Sequence, residues 1–181
     1  MSKNILIGIT AGIALYKVCD LIRKLKNENY TVKCIMTENA TKLISPMLLQ
    51  ELAQDKVYID MFSQTEYLPT HISLSQWADL VVVVPCSCNT ISKLAIAKTE
   101  DLLTATIYAI DREKTKVLLC PSMNVNMWKH PVTQKNISIL KKIGYNILEP
   151  QKGKLLCGKE GEGRLPEVEE IFDYIKKMLK K

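Results

Sequence analysis

Histidine is almost missing from this 181-residue chain, which has only His71 and His130. Cys86 and Cys88 form a C-x-C pair with no second pair and no histidine cluster nearby, so tetrahedral zinc has no ligand set and no metal is expected. The six cysteines (Cys19, Cys34, Cys86, Cys88, Cys120, Cys157) lack any disulfide-like spacing. Cys19, Cys34 and Cys120 fall in apolar or helical patterns where a free thiol packs as a small hydrophobe, which implies a reducing compartment. Long apolar runs are missing too. The run after Met1-Ser2-Lys3-Asn4 covers about seven residues, too short for a bilayer, and no signal-peptide cleavage pattern follows. A cytoplasmic protein without a membrane partner is the expectation. Clustered charge is also lacking: 25 Lys and Arg against 19 Asp and Glu give +6, with no basic block longer than the Lys180-Lys181 end. A phosphate-tracking surface shows as a patch, so nucleic acid is not expected and a small anionic ligand fits better.

What the chain has is apolar content, 47% of residues, enough for one domain with a substantial core. There is no internal repeat or low-complexity linker, and one domain over 1–181 is expected. Short apolar runs alternate with helix-period stretches: Ile5 to Ile9 then Leu15 to Leu25, Val32 to Met36 then Pro46 to Ala53, Leu80 to Val84 then Ile91 to Ile107. Val117 to Cys120 then Val132 to Ile143, and Tyr145 to Leu148 followed by a loop and Val168 to Leu179, complete five such units. The pattern predicts an α/β fold, a doubly wound three-layer α/β/α Rossmann-like (flavodoxin-like) parallel sheet. Val81 to Val84 are apolar on both faces, and Leu21, Ile22 and Leu25 make a helix face opposite Arg23, Lys24 and Lys26. The segment 151–164 stands apart, with Gly153, Gly158, Gly161 and Gly163 among charges, and reads as a mobile loop or flap.

In open α/β sheets ligands bind beyond the carboxyl ends of the strands, where helix N-termini offer unpaired N–H groups. Four segments fall there. Gly8-Ile9-Thr10-Ala11-Gly12-Ile13-Ala14 is a small-residue turn without the full G-x-G-x-x-G fingerprint, suiting a mononucleotide phosphate or simply a tight βα turn. Met36-Thr37-Glu38-Asn39-Ala40 places Thr37 and Asn39 at a helix start, where either also serves as an ordinary cap. Pro85-Cys86-Ser87-Cys88-Asn89-Thr90 follows the polyvaline strand. Pro121-Ser122-Met123-Asn124-Val125-Asn126-Met127-Trp128 follows the next; its Met and Trp suit core filling, and its Asn124 amide can bind a carboxylate. His71 precedes a short helix and reads as a structural residue or a catalyst; His130, before Pro131, reads as a surface helix start. Cys157 lies in a polar glycine-rich loop, where a chemical role fits better than packing.

Together these segments resemble the homo-oligomeric flavin-containing cysteine decarboxylases. The resemblance rests on His71-Ile72-Ser73-Leu74 with Trp77-Ala78-Asp79, on the complete P-x-M-N-x-x-M-W motif from Pro121 to Trp128, and on Cys157-Gly158 through Gly163. Ala11, Ser122 and Leu156 depart from the residues usual at their positions. The resemblance implies FMN, held by Thr10, Ala11, Gly12, Ile13, Thr37, Asn39, Ser87, Cys88, Asn89 and Thr90, with Ser122 near its ring. It implies that the substrate's cysteine thiol is oxidised to a thioaldehyde, so that the carboxylate can leave as CO₂. His71 is then the base, Asn124 the carboxylate holder, and Cys157 the proton donor in the flap. Met127, Lys154, Leu155 and Leu156 complete the substrate pocket, and Lys152, Lys154, Lys159 and Arg164 are candidates for a substrate phosphate or plain solubilising charge. The flap cysteine marks members acting on phosphopantothenoylcysteine. Peptidylcysteine decarboxylases, non-catalytic FMN-binding regulators and flavin prenyltransferases are the alternatives. The resemblance also implies a homotrimer or homododecamer with FMN at a subunit interface. A separate phosphopantothenate-cysteine ligase is expected as a pathway partner, since no ligase domain is expected within 1–181.

Overall fold

The computed structural model describes residues 3–63, 68–154 and 160–180. In chain order it begins with β1 (Asn4–Ile9), a 3-10 turn (Ile13–Tyr16), α1 (Lys17–Asn27), β2 (Thr31–Met36), α2 (Glu38–Thr41) and α3 (Pro46–Ala53). Next come β3 (Val57–Tyr58), α4 (Thr70–Trp77), β4 (Leu80–Cys86), α5 (Cys88–Ala95), α6 (Leu102–Ala109) and β5 (Lys116–Pro121). The chain continues through α7 (Val125–Lys129), α8 (Pro131–Lys142), β6 (Asn146–Ile147), β7 (Gln151–Lys154), β8 (Glu160–Arg164) and α9 (Val168–Leu179).

Successive β-branched valines suit a pleated strand covered on both faces, and every residue of β4 is buried. The six strands β1 to β6 pair in parallel in the order β3-β2-β1-β4-β5-β6. This is the Rossmann order; only the two-residue β3 separates it from the flavodoxin-like one. Ile5, Ile7 and Ile9 of β1 pack against Leu21, Ile22 and Leu25 of α1 and Ile171, Phe172 and Ile175 of α9. Leu6, Val81 and Val83 face the other way, toward Leu74, Ile91, Leu94, Leu103 and Leu140 of α4, α5, α6 and α8. The expected three layers are therefore present, and each fully buried Leu or Ile contributes roughly 1.5–3 kcal/mol to holding them. At Gly8 an added Cβ would stand 2.4 Å from Leu103 Cδ1, so glycine there lets α6 approach the sheet.

Three expectations change. The sheet has six strands, not five, because β3 adds an edge strand of two residues, too short to mark itself in the sequence. The helix expected over Ile91 to Ile107 is two helices, α5 and α6. Ala97 takes a left-handed φ of 59°, through which no α-helix continues. Asp101 then starts α6 with a capping box: its Oδ1 accepts from Thr104 N at 2.9 Å, and Thr104 Oγ1 accepts from Asp101 N at 3.4 Å. Lys93 ties the two helices together through Glu100 at 2.8 Å and Asp101 at 2.7 Å. Such a cap is worth about 1 kcal/mol. The third change is in 151–164, expected as a mobile loop or flap, where β7 and β8 pair as an antiparallel hairpin, a form a flap can take.

Candidate functional site

The parallel sheet brings the turns after β1, β4 and β5 to one edge, and a cavity of about 500 Å³ opens there. From the first turn it is lined by Ala11, Gly12, Ile13, Ala14, Tyr16 and Lys17. Ser87 and Cys88 come from the second turn, and Ser122, Met123, Asn124 and Met127 from the third. Gly163, Arg164 and Leu165, at the end of the hairpin, close the remaining wall. A volume of this size lies in the range of small-molecule and cofactor sites.

Each turn is shaped by its own bonds. Thr10 is buried: its hydroxyl donates to the Pro85 carbonyl at 2.8 Å and accepts from Ser87 N at 2.9 Å, bolting the first turn to the second. Ser87 caps α5, its Oγ accepting from Thr90 N at 3.3 Å with Thr90 Oγ1 3.1 Å away. A Cβ on Gly12 would lie 3.3 Å from Pro85 Cγ, tighter than ordinary contact, so the first turn lies close over the second. Asn124 caps α7, its Oδ1 accepting from Asn126 N at 2.8 Å, which fixes the orientation of the amide. The hairpin docks on this same turn. Met123 N donates to the Gly163 carbonyl at 3.0 Å, and Ser122 Oγ donates to it at 3.4 Å.

Of the residues singled out from the sequence, Ala11, Gly12, Ile13, Ser87, Cys88, Ser122, Asn124, Met127 and Arg164 meet at the cavity. Thr10 and Thr90 brace it from behind. Thr37 lies at the start of α2, its hydroxyl 3.5 Å from the Ile9 carbonyl, and Asn39 is exposed beside Lys42. Asn89 is exposed on α5. His71 sits in the first turn of α4 and outside the lining; its Nδ1 is buried without a hydrogen-bond partner. His130 caps α8 by accepting from Val132 N at 3.2 Å, as expected of a helix start. Trp128 is buried in the core while Met127 is 47% exposed, so these adjacent side chains divide between packing and the cavity. Leu155, Leu156, Cys157 and Lys159 lie outside the described residues, as does the side chain of Lys154. Tyr16, Lys17 and Leu165 escaped the sequence reading, and Met123 entered it only as a motif residue.

Cys34, Cys86 and Cys120 are buried, and burial pushes their thiols up, that of Cys34 to about 12. These three stay protonated and unreactive. Cys88 is half-buried and reaches the cavity wall, its Sγ 3.6 Å from Thr133 Oγ1. Among the described residues no group of three or more His, Cys, Asp or Glu could hold a metal ion, and no helix is long and apolar enough to cross a membrane.

A family profile described as Flavoprotein matches residues 1–180. The chain belongs to the flavoprotein family. A protein of Streptococcus mutans described as "Probable phosphopantothenoylcysteine decarboxylase" is 35% identical to this flavoprotein over 99% of the chain and 100% of its own length. The Bacillus subtilis "Coenzyme A biosynthesis bifunctional protein CoaBC" is 41% identical over 97% of the chain, but only 43% of its own length is matched. The flavoprotein thus spans less than half of that relative. Among solved structures, the FMN-dependent cysteine decarboxylase SpaF superposes with a TM-score of 0.84 at 25% identity, covering 95% of this chain and 94% of its own.

The cavity of the flavoprotein fits a flavin. Its floor is a glycine turn and a serine-capped helix start, both rich in backbone N–H groups; its walls carry Ile13, Tyr16, Met123 and Met127, which suit a flat ring. Its charged lining residues, Lys17 and Arg164, are both cationic, which suits a phosphate.

Proposed function

We propose that this flavoprotein uses FMN to decarboxylate 4′-phosphopantothenoylcysteine, giving 4′-phosphopantetheine and CO₂ in coenzyme A biosynthesis. The observation that carries the reading is the meeting of Asn124 and Met127 with the Gly12 turn and two cations around one cavity. The full-length likeness to the Streptococcus mutans protein supports the choice of substrate.

A β-thiol carboxylate has no electron sink of its own, and bound FMN supplies the two-electron oxidation that creates one. The protein's work is positioning and proton handling. The first turn and the Ser87–Thr90 turn hold the nucleotide, with Ser122 beside the ring. Asn124, its amide fixed by the α7 cap, orients the substrate carboxylate, and Met127 packs against the same end. His71 removes the proton that accompanies thiol oxidation. Its Nδ1 is buried without a hydrogen-bond partner in the single chain, so the chain's own architecture does not occupy that nitrogen. Cys157 returns a proton to the product. Ile13, Tyr16 and Met127 are 66%, 59% and 47% exposed in one chain, and in this reading a second copy covers them and brings its own His71 to the site. A homotrimer or dodecamer in the cytoplasm satisfies that arrangement.

The test is product analysis. Protein reconstituted with FMN is given phosphopantothenoylcysteine or a peptide ending in cysteine, and products are weighed by mass spectrometry. Phosphopantetheine from the first and little turnover of the second is expected. An oxidised enethiol from the peptide assigns the activity to peptidylcysteine, and FMN binding without CO₂ from either leaves a binding protein.

A further inference from the structure

Lys17 and Arg164 are the charged side chains of the cavity wall, and no carboxylate lines it among the described residues. Both reach the same acid outside the lining: Lys17 Nζ stands 2.8 Å from Glu167 Oε2, and Arg164 Nη2 pairs with Glu167 Oε1. One carboxylate balances one cation, so the wall keeps an unbalanced positive charge. The Lys17 side chain is 12% exposed against 48% for Glu167, which makes the cation the inner partner and the acid the outer one.

We infer that Lys17 and Arg164 form a subsite for a phosphate monoester, with Glu167 as the counter-ion that holds both cations in place for it. A phosphate offers three acceptor oxygens, matching the three donors of an ammonium and the fork of a guanidinium. Because Lys17 begins α1 and Arg164 ends β8, a phosphate held by both ties the hairpin to the sheet edge. Its hydrogen bond with Lys17 holds the Glu167 carboxyl below the usual carboxylate range, so the counter-ion is charged at neutral pH. The inference rests on the cavity being the site of the proposed reaction. Its phosphate has two sources, the nucleotide and the substrate.

The experiment compares the parent with Lys17→Met, Arg164→Met and Lys17→Arg, each checked for folding by thermal melting. FMN and riboflavin affinities are read from flavin fluorescence, and kcat/KM is measured for phosphopantothenoylcysteine and its dephosphorylated form. Each methionine variant is expected to lose about 10- to 100-fold for one phosphorylated ligand, while its unphosphorylated counterpart changes less than about twofold and Lys17→Arg recovers most of the loss. Loss confined to FMN assigns the nucleotide's phosphate; loss confined to the substrate assigns the substrate's. Equal losses within each pair, or none, overturn the subsite. Absence of CO₂ from the parent overturns the decarboxylase reading instead, and the flavin pair alone then decides the subsite.

Discussion

Replacing His71 with asparagine is expected to lower CO₂ release about 100- to 10,000-fold, the range lost when a general base is removed. Flavin affinity is measured alongside, so that loss of the base is told apart from loss of the cofactor. The physical basis is the environment of the ring at the start of α4. Its Nδ1 is buried without a partner in the single chain, and an unsatisfied buried nitrogen costs about 1–3 kcal/mol, so the ring is kept there at a cost to folding. If the base of one copy serves the cavity of another, mixed oligomers of His71→Asn and Asn124→Ala chains contain some intact sites. Mixing should therefore restore part of the activity that neither variant has alone. Turnover by His71→Asn within a few-fold of the parent would remove the base from the account, and absence of restoration would place both residues on one chain.

Substituting Gly163 by alanine is expected to undock the hairpin. Gly163 has φ +147°, and its added Cβ would lie 2.2 Å from the carbonyl oxygen of Met123. Backbone cannot yield there as a side-chain tip could, and the Met123 N–H beside it donates to the Gly163 carbonyl at 3.0 Å. Strain of this kind costs on the order of 2 kcal/mol, which is roughly 30-fold in the docked population. Activity should fall by about that factor, with protease cleavage appearing within 151–164 while the core melts near the parent temperature. Gly161→Ala is the control: its Cβ meets Val125 Cγ2 at 2.8 Å, a side chain that can turn aside, so its loss should be smaller. Equal protease resistance and activity in Gly163→Ala would show that the hairpin does not need this contact.

The layers of the fold were legible because their cause is local and repeated. Val81 to Val84 cannot face water on either side, and Leu21, Ile22 and Leu25 recur at helical spacing, so a covered parallel sheet follows. The break between α5 and α6 was hidden because its capping box uses Thr104 where Glu or Gln usually answers the cap, and because a left-handed Ala97 has no sequence signature. The hairpin was hidden for a different reason: glycines alternating with charges carry little strand propensity, and its order comes from docking on Ser122 and Met123. At the site, turn residues were legible as motifs, whereas Lys17 looked like any lysine on a polar helix face until the topology set it opposite Arg164.

In the proposed reaction electrons leave the substrate thiol for a bound flavin before CO₂ departs. Anaerobic mixing of the FMN-loaded protein with phosphopantothenoylcysteine, followed by flavin absorbance alongside CO₂, tests this directly. The visible flavin band should bleach no later than CO₂ appears, then recover as phosphopantetheine accumulates. Stoichiometric CO₂ with the band unchanged throughout would contradict it.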